Sequence, residues 1–170
     1  ANTDVWVKAA NSETGNDFWY SEDRGVTWSN KVTAPVSGQN GHGGSVAISA
    51  DGSTFYWAPD NMAFVFWSDD KGKTWNQSEG GLSAKRLIAD PVNPDYLYAA
   101  SGSTFYYSDD RGKTFTANSD LSVFTSTRPV VEAGVEGKIY YPAMGLQVST
   151  DHGKTFTRLS TVSNCQMVGL

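Results

Sequence analysis

The sequence of 170 residues has only one cysteine, Cys165, and no long run of apolar residues. A single cysteine excludes an internal disulfide bond, and it matches no known spacing of metal ligands. We therefore expect no metal site, and we interpret Cys165 as a small buried apolar residue rather than as a reactive thiol. The longest apolar stretches have the length of a β-strand and are shorter than the roughly 20 residues that span a membrane. The sequence thus predicts neither a disulfide-rich nor a membrane-spanning protein.

Charged residues are also scarce, since they make up 18% of the chain, and the formal net charge is −5. No run of basic residues is present, which argues against nucleic acid as a partner. No signal peptide opens the chain, and its first residues read as mature or internal sequence. The many glycine, serine, threonine and aromatic residues favour a secreted all-β protein, for which we expect no cofactor. Asn76 begins a possible N-glycosylation signal that ends at Ser78.

One short phrase, Ser-x-Asp-x-Gly-x-Thr-aromatic, occurs four times. The copies are SEDRGVTW at 21–28, SDDKGKTW at 68–75, SDDRGKTF at 108–115 and STDHGKTF at 149–156. Their third-position aspartates stand 47, 40 and 41 residues apart along the chain. Repeats of about 40 to 50 residues that each contain several short strands are typical of propeller blades. We therefore predict an all-β propeller of about four blades, each with four antiparallel strands.

The phrase has the chemistry of a tight hairpin turn between two strands. The glycine supplies a positive φ, the aspartate accepts backbone N–H groups across the turn, and the aromatic residue fills the gap between neighbouring sheets. Metal binding or catalysis is the functional alternative, but a catalytic group is needed once and these residues occur four times. The predicted structural residues are Ser21, Asp23, Gly25, Trp28, Ser68, Asp70, Gly72, Trp75, Ser108, Asp110, Gly112, Phe115, Ser149, Asp151, Gly153 and Phe156.

The repeats define one predicted domain with four blades and an additional strand. The predicted blades are at about 1–37, 38–82, 83–121 and 122–162, with inner strands at 45–51, 86–93 and 128–135 and a last strand at 163–170. The first blade has no inner strand of its own, whereas the last strand has no blade after it. Either the last strand pairs with the first blade and closes a small ring, or the chain is a segment of a larger propeller.

The four phrases resemble the Asp boxes of sialidases, family-74 xyloglucanases and sortilin-type receptors. A glycine-rich stretch at 38–44 leads into SVAISADGSTFYWAP, and the next blade reads LIADPVNPDYLYAASGSTFYYSDDRGKTF. Both closely resemble the later part of the C-terminal propeller of glycoside hydrolase family 74 xyloglucanases, and the similarity extends with gaps over nearly the whole chain. This resemblance implies a segment of a seven-bladed propeller from a secreted enzyme.

The resemblance also implies a function. Enzymes of this family cleave the β-1,4-glucan backbone of xyloglucan with inversion, using one aspartate as acid and another as base. Their base lies in a Thr-Asp-Ile-Gly-Gly phrase and their acid in a Gly-Asp-x-x-Gly-Phe phrase, and neither phrase occurs here. We therefore expect the chain to supply scaffold and cleft wall to a xyloglucan-degrading enzyme, and to be weakly active or inactive alone. The implied partners are cell-wall xyloglucan and the remaining portion of the propeller.

Two other functions are compatible with Asp boxes. A sialidase clamps its substrate carboxylate with three arginines, and only Arg86 and Arg128 lie away from the boxes, so this function is disfavoured. A carbohydrate-binding propeller without catalysis is the principal alternative. Asp90 and Glu132 lie at similar places on neighbouring inner strands and could form an independent pair of acids. Solvated turn residues are the simpler explanation of both.

Sugar binding requires aromatic platforms with polar edges. The predicted substrate contacts are Trp57 with Asn61 after it, and Asn40 with His42 in the glycine-rich loop. A place in the core is the alternative for Trp57. His152 fills a variable position of the fourth box, and we expect it to be solvated.

Overall fold

The fold is known from a computed structural model, which describes residues 4–12, 15–30, 32, 35, 44–60, 62–82, 86–122, 127–163, 165 and 169. Within these ranges the regular structure consists of fourteen β-strands, and no helix long and apolar enough to cross a membrane occurs. In chain order the strands are β1 (Trp6–Ser12), β2 (Gly15–Ser21), β3 (Ser45–Ile48), β4 (Phe55–Ala58), β5 (Phe66–Ser68), β6 (Asn76–Gln77), β7 (Arg86–Ala89), β8 (Leu97–Ser101), β9 (Thr104–Ser108), β10 (Thr116–Ser122), β11 (Val130–Val131), β12 (Ile139–Ala143), β13 (Gly145–Ser149) and β14 (Thr157–Leu159).

The strands form four antiparallel sheets that follow one another along the chain. The first sheet consists of β1 and β2, and the other three contain β3 to β6, β7 to β10 and β11 to β14, each strand pairing with the next. An isolated bridge between Phe18 and Val32 lies beyond β2, at the edge of the first sheet. Up-and-down sheets of four strands are the blades of propellers. The predicted all-β fold is therefore confirmed.

All four sheets share one register, which identifies equivalent residues. In each sheet the strand that ends at the serine of the Asp box pairs with the strand before it, and the serine lies opposite the first residue of that strand. These pairs are Trp6 with Ser21, Phe55 with Ser68, Leu97 with Ser108 and Ile139 with Ser149. Successive residues of a strand point to opposite faces of its sheet. Counting from these four pairs therefore shows which residues of different sheets occupy the same position on the same face.

The core lies between the sheets in three clusters. Phe18 and Trp57 are fully buried between the first and second sheets, Tyr56 and Leu97 between the second and third, and Phe105 between the third and fourth, with Tyr141 beside it. Each such side chain contributes about 2–3 kcal/mol through burial of apolar surface. Each sheet is thus covered by its neighbours in sequence, and among the described residues no cluster combines the first and fourth sheets.

The turns of the boxes differ in one respect from the prediction, which assigned a positive φ only to the glycine. The residue before each glycine also has a positive φ, namely Arg24 (59°), Lys71 (61°), Arg111 (62°) and His152 (63°). The left-handed conformation costs a non-glycine residue roughly 1–2 kcal/mol. Backbone hydrogen bonds offset this cost, since the N–H of Arg111 donates to the carbonyl oxygen of Asp95 at 2.9 Å.

Several strands are shorter than the sequence predicts. The inner strand predicted at 128–135 consists of β11 alone, because Glu132 to Gly137 form turns. The strand predicted at 163–170 lies largely outside the described residues, and so does most of the glycine-rich stretch before β3. The blade boundaries therefore remain predictions.

Candidate functional site

The four Asp boxes have nearly identical hydrogen bonding. In the first box the Ser21 hydroxyl donates to Asp23 Oδ1 at 2.7 Å and accepts the N–H of Gly25 at 2.8 Å. The Thr27 N–H donates to Asp23 Oδ1 at 2.8 Å, and the Thr27 hydroxyl donates to Oδ2 at 2.6 Å. The other boxes repeat these four bonds within 0.2 Å. Both oxygens of each aspartate are thus occupied within its own turn.

This arrangement keeps the box aspartates ionised. Hydrogen bonds from the Thr27 hydroxyl and N–H, and then from Ser21, lower the pKa of Asp23 from 3.8 to about 2. The pKa values of Asp70, Asp110 and Asp151 are lowered as well. Among the described residues, no group of three or more His, Cys, Asp or Glu side chains is placed to hold a metal ion. The geometry of the boxes is that of hairpin turns.

Two positions of the box have structural roles that the sequence does not predict. The threonine, which is present in all four copies, closes the turn through its hydroxyl. The residue before the glycine varies among the copies. In the last three copies its side chain reaches the preceding sheet, whereas in the first copy Arg24 binds Asp4 of its own sheet. Repetition of the threonine in the sequence was a usable signal, whereas the variable position gives none. These residues are Thr27, Thr74, Thr114 and Thr155, and Arg24, Lys71, Arg111 and His152.

Arg111 joins the second and third sheets. Its Nε donates to Asp95 Oδ1 of its own sheet at 2.8 Å. Its terminal nitrogens reach the turn of the preceding sheet, at 2.9 Å from the Ser53 hydroxyl and 3.2 Å from Asp51 Oδ2. Burial opposes ionisation of Asp51, but hydrogen bonds from Ser49 and Ser53 and the charge of Arg111 lower its pKa to about 2.

Asp90 joins the third and fourth sheets and is the most deeply buried of the described carboxylates, with 1% exposure. Its Oδ1 accepts the N–H groups of Val92 and Asn93, both at 2.9 Å, within its own turn. Its Oδ2 accepts the Tyr98 hydroxyl at 2.7 Å and the N–H of Gly137, from the next sheet, at 2.8 Å. Burial opposes ionisation, but these four bonds outweigh it, and the pKa of Asp90 is lowered.

His152 is not solvated as predicted, because it fills the space beside Asp90. Its ring stacks on Tyr96 with centroids 3.6 Å apart and planes at 14°. Its Nδ1 lies 3.1 Å from the Tyr98 hydroxyl, and its Nε2 lies 3.5 Å from Glu136 Oε1. Only 17% of the side chain is exposed. The left-handed backbone at this box position turns the side chain toward the preceding sheet, which the linear sequence does not indicate.

Glu132 takes the place in the fourth sheet that Asp90 takes in the third. Each follows the end of an inner strand, and each accepts a hydrogen bond from the tyrosine eight residues later: Tyr140 donates to Glu132 at 2.9 Å. Glu132 also lies 2.7 Å from Lys138 Nζ, and this contact and the Tyr140 bond lower its pKa. Asp90 and Glu132 therefore occupy equivalent positions on successive sheets. Asp90 joins two sheets, whereas Lys138 and Tyr140, which bind Glu132, belong to its own sheet, and neither carboxyl group has the raised pKa of a general acid.

Trp57 is fully buried in the core between the first two sheets. Its ring centroid lies 5.6 Å from that of Phe18 and 6.0 Å from that of Trp75. A ring without exposed surface offers no platform for a sugar, so the structure supports the core alternative for Trp57. The other predicted contacts, Asn40, His42 and Asn61, lie outside the described residues.

Gly44, which follows Asn40 and His42 in the chain, and Pro59, which precedes Asn61, are nevertheless adjacent. A Cβ atom on Gly44, just before β3, would lie 2.8 Å from the Cα of Pro59, just after β4. This edge is opposite to the one that carries the Asp boxes, because adjacent antiparallel strands run between the two edges. Gly44 and Pro59 of the second sheet thus meet at an edge that the repeated turns do not occupy.

An open depression of about 250 Å³ lies beside the first box and is lined by Tyr20, Ser21, Glu22, Asp23, Thr27, Trp28 and Ser29. Asp23 is occupied within its turn, and Glu22 lies 2.6 Å from Lys71 Nζ. Both carboxylates that line the depression are therefore already bonded, and the surface that remains for a ligand is mainly the indole of Trp28.

Comparison with known proteins agrees with this architecture. Residues 106–117 match the family model described as BNR/Asp-box repeat. A xyloglucanase from Paenibacillus is 34% identical over 88% of this chain, and one from Hypocrea jecorina is 34% identical over 96% of it. The chain spans only 15% and 19% of the lengths of these two relatives.

The solved structures agree with the sequence comparison. The crystal structure of a GH74 enzyme from Niastella koreensis superposes on 96% of this chain with a TM-score of 0.79 and 27% identity, and 24% of that enzyme is covered. The sequence, the repeated box and the arrangement of the sheets therefore indicate the same family. The chain belongs to glycoside hydrolase family 74, as an Asp-box propeller segment.

Proposed function

We propose that this chain is part of a secreted, xyloglucan-degrading endo-β-1,4-glucanase, in which it supplies scaffold and part of the cleft wall. The observation that carries the proposal is the 34% identity to two xyloglucanases over most of the chain, combined with its small share of their length. A segment of this size contributes a few neighbouring blades. The rest of the enzyme would then supply the acid and the base.

The described carboxylates support the assignment of the acid to another part of the enzyme. A general acid of a glycoside hydrolase needs a raised pKa so that it is protonated when the substrate binds. Wherever the pKa of a described carboxyl group is shifted, the shift is downward. Each of these groups accepts hydrogen bonds inside a turn or a joint, which favours its ionised form.

The edge of the second sheet at Gly44 and Pro59 is the best candidate for the cleft wall. It lies away from the boxes, and it is bordered by the segments that contain Asn40, His42 and Asn61. Polar side chains on loops above a rigid sheet can bond the hydroxyl rim of a sugar without moving the scaffold. We propose that xyloglucan contacts the chain at this edge.

A chimera tests the scaffold role. The chain would replace the aligned segment of the Paenibacillus xyloglucanase, and the product would be assayed for reducing ends released from xyloglucan. We expect an active chimera, whereas the isolated chain should release products weakly or not at all. A chimera that folds but has no activity would contradict the proposed role, and so would rapid hydrolysis by the isolated chain.

Two substitutions in the chimera test the position of the wall. Asp60→Ala, at the proposed edge, should raise KM for xyloglucan and leave kcat nearly unchanged, because it removes a contact rather than a reacting group. Asp109→Ala, an exposed carboxyl in the third box, serves as the matched control and should change neither constant. Equal effects of the two substitutions would argue against the proposed edge.

The alternative is a carbohydrate-binding propeller without catalysis. Electrophoresis of the isolated chain through gels containing xyloglucan or mannan distinguishes the two functions. Strong retardation by xyloglucan without any product release would favour the binding module. Weak or absent retardation together with an active chimera would favour the cleft wall.

A further inference from the structure

One motif of the sequence has no part in the proposed cleft wall. The segment Asn76-Gln77-Ser78 fits Asn-x-Ser/Thr, the acceptor signal for N-linked glycans, and this signal occurs once in the sequence. Such signals also arise by chance, so the surroundings of Asn76 in the fold decide whether a glycan fits there. A suitable acceptor lies on the surface, because the attached glycan is bulky and strongly hydrated.

Asn76 lies on the outermost strand of the second sheet. The order of strands in this sheet ends with β6, and both residues of β6, Asn76 and Gln77, are exposed. Described sheets pack against both faces of the second sheet, so Asn76 is exposed although its sheet is internal to the described fold. Sheet edges that are left bare can pair with other chains, and proteins commonly cover them. A glycan on Asn76 would extend into solvent beside this edge.

The register places Asn76 at the outer end of a row of side chains on one face of the sheet. From β3 to β6, the paired residues of this row are Ala47, Tyr56, Trp67 and Asn76. Tyr56 is fully buried against the third sheet, whereas Trp67 is half-buried and Asn76 is exposed. The third sheet therefore covers the inner part of the row and leaves its outer end open.

Trp67 presents an aromatic ring directly opposite Asn76. Residues opposite each other on antiparallel strands have Cβ atoms about 4.5–5.5 Å apart, so a sugar bonded to Asn76 can reach the indole. The ammonium of Lys113 lies 5.5 Å from the ring centroid and supplies part of the present cover. In the third sheet the equivalent residues are Tyr107 and Thr116. The second sheet therefore combines a large ring with an acceptor asparagine, and the apolar face of a pyranose packs well on such a ring.

The position of Asn76 also leaves the proposed substrate edge open. Asn76 directly follows Trp75, the aromatic residue of the second box, so β6 begins near the box edge of the sheet. Gly44 and Pro59 lie at the opposite edge. A glycan on Asn76 would project from the rim and would not cover the edge that we assign to the polysaccharide.

We propose that Asn76 is an N-glycosylation site whose first sugar packs on Trp67, and that it is occupied when the chain is secreted through a pathway that adds such glycans. The proposal rests on the proposed secretion and is independent of the cleft wall. In the transfer, Asn76 Nδ2 loses a proton and bonds to C1 of the first N-acetylglucosamine of a lipid-diphosphate-linked oligosaccharide. The bond between C1 and the phosphate oxygen breaks, and the lipid diphosphate leaves.

The transfer has to precede the pairing of β6 with β5. In the folded chain Ser78 is 2% exposed, and its hydroxyl accepts the N–H of Val65 at 3.1 Å. The N–H of Ser78 donates to the carbonyl oxygen of Val65 at 2.8 Å. The transferring enzyme has to reach the serine of the signal, so the acceptor is the chain before it folds. The folded structure then determines which residues the sugar contacts.

Secretion of the chain from yeast, behind a yeast signal sequence, tests the occupancy of the site. Trypsin cleaves after Lys73 and Lys85, and the resulting peptide 74–85 contains Asn76 and no other asparagine. Mass spectrometry of the secreted chain should find a high-mannose glycan on this peptide and on no other, and Asn76→Gln should abolish it. A peptide 74–85 without any glycan would overturn the proposal. That result would leave the scaffold role untouched, because the activity of the chimera tests that role separately.

Trimming of the glycan tests the contact with Trp67. An endoglycosidase that cuts between the first two sugars leaves one N-acetylglucosamine on Asn76. The matched control is the chain produced without glycan in bacteria, and Asn76→Gln from yeast should behave like it. The form with one sugar should have a urea midpoint about 0.3 M or more above that of the control, because the sugar covers the indole.

Trp67→Leu provides the second comparison, since leucine keeps an apolar side chain on the core but removes the flat ring. The difference in urea midpoint between the form with one sugar and the form without should then fall by half or more. A sugar that leaves the midpoint of the native chain unchanged would overturn the contact, and this comparison decides the matter if Trp67→Leu fails to fold. An undiminished difference in a folded Trp67→Leu would overturn it as well.

Discussion

Asp90→Asn should destabilise the protein strongly although it changes the shape of the side chain very little. Asp90 is 1% exposed and accepts four hydrogen bonds. An asparagine can keep its oxygen toward the two N–H groups of its own turn and donate from Nδ2 to the oxygen of Tyr98. It then faces the N–H of Gly137 with another donor. The link between the third and fourth sheets is lost.

The magnitude follows from the buried groups that lose their partners. An unpaired buried N–H costs about 1–3 kcal/mol, and hydrogen bonds to a charged acceptor are stronger than those to a neutral one. We therefore expect the free energy of unfolding to fall by about 2–4 kcal/mol. Tyr98→Phe removes one of the four bonds and should cost about 1.5–3 kcal/mol. Because the two residues share one bond, the double variant should be less destabilised than the sum of the single variants.

Urea unfolding followed by tryptophan fluorescence measures these differences, with the m-value serving as a check on two-state behaviour. Asp109→Asn is the matched control, since it makes the same change on an exposed carboxyl and should stay within about 0.5 kcal/mol of the native chain. If Asp90→Asn were no more destabilising than Asp109→Asn, the buried carboxylate would not hold the two sheets together, and the assignment of Asp90 as a joint residue would be refuted.

Three further outcomes are expected. Stability should fall in acid and be constant near neutrality, because the pKa of Asp23 and of the other bonded aspartates is lowered in the folded protein. For Asp23 the stability should be lost as the pH falls from about 4 toward the folded pKa of about 2, and tryptophan fluorescence during an acid titration measures this loss. Trp57→Ala should cost about 3–5 kcal/mol in urea unfolding, because the ring is fully buried; a cost below 1 kcal/mol would contradict its core role. Gly112→Ala should cost about 1–3 kcal/mol, because φ is +77° and a Cβ would lie 3.1 Å from both Leu97 and Tyr56; a stabilised variant would contradict the tight contact.

The blades could be predicted because their turns repeat. Four copies of one phrase at nearly constant spacing fix the period, and alternating strands between them leave few other folds. The turn chemistry of serine, aspartate and glycine could be inferred because it acts within five residues of the chain. Local chemistry of this kind depends little on the rest of the molecule.

The joints could not be predicted, because each depends on the distance between two sheets. Asp90 and Gly137 are 47 residues apart in the chain, and only the packing of the third sheet against the fourth brings them within 2.8 Å. The same packing stacks His152 on Tyr96. Each such contact occurs once, in residue types that vary from box to box, so no repetition reveals it.

The position of Trp57 was undecided for a related reason. All four residues of β4 are buried, because the sheet is covered on both faces by its neighbours. A strand buried on both faces reads as a continuous apolar run, and the run has no polar side to show which way each residue points. A surface platform and a core residue therefore have the same local sequence.

The two edges of the sheets differ in the surface that they leave for the proposed substrate. At the box edge the carboxylates of Asp51 and Asp90 already bind the residues that hold the sheets together, so a ligand there would have to break a joint. At the other edge the β8–β9 turn consists of two residues, and the β12–β13 turn is the single residue Met144. The connection between β4 and β5 spans 59–65 and is much longer. Among these three hairpins, the β4–β5 connection is therefore the one long enough to extend to a polysaccharide chain, which is why Asp60 is the residue to test.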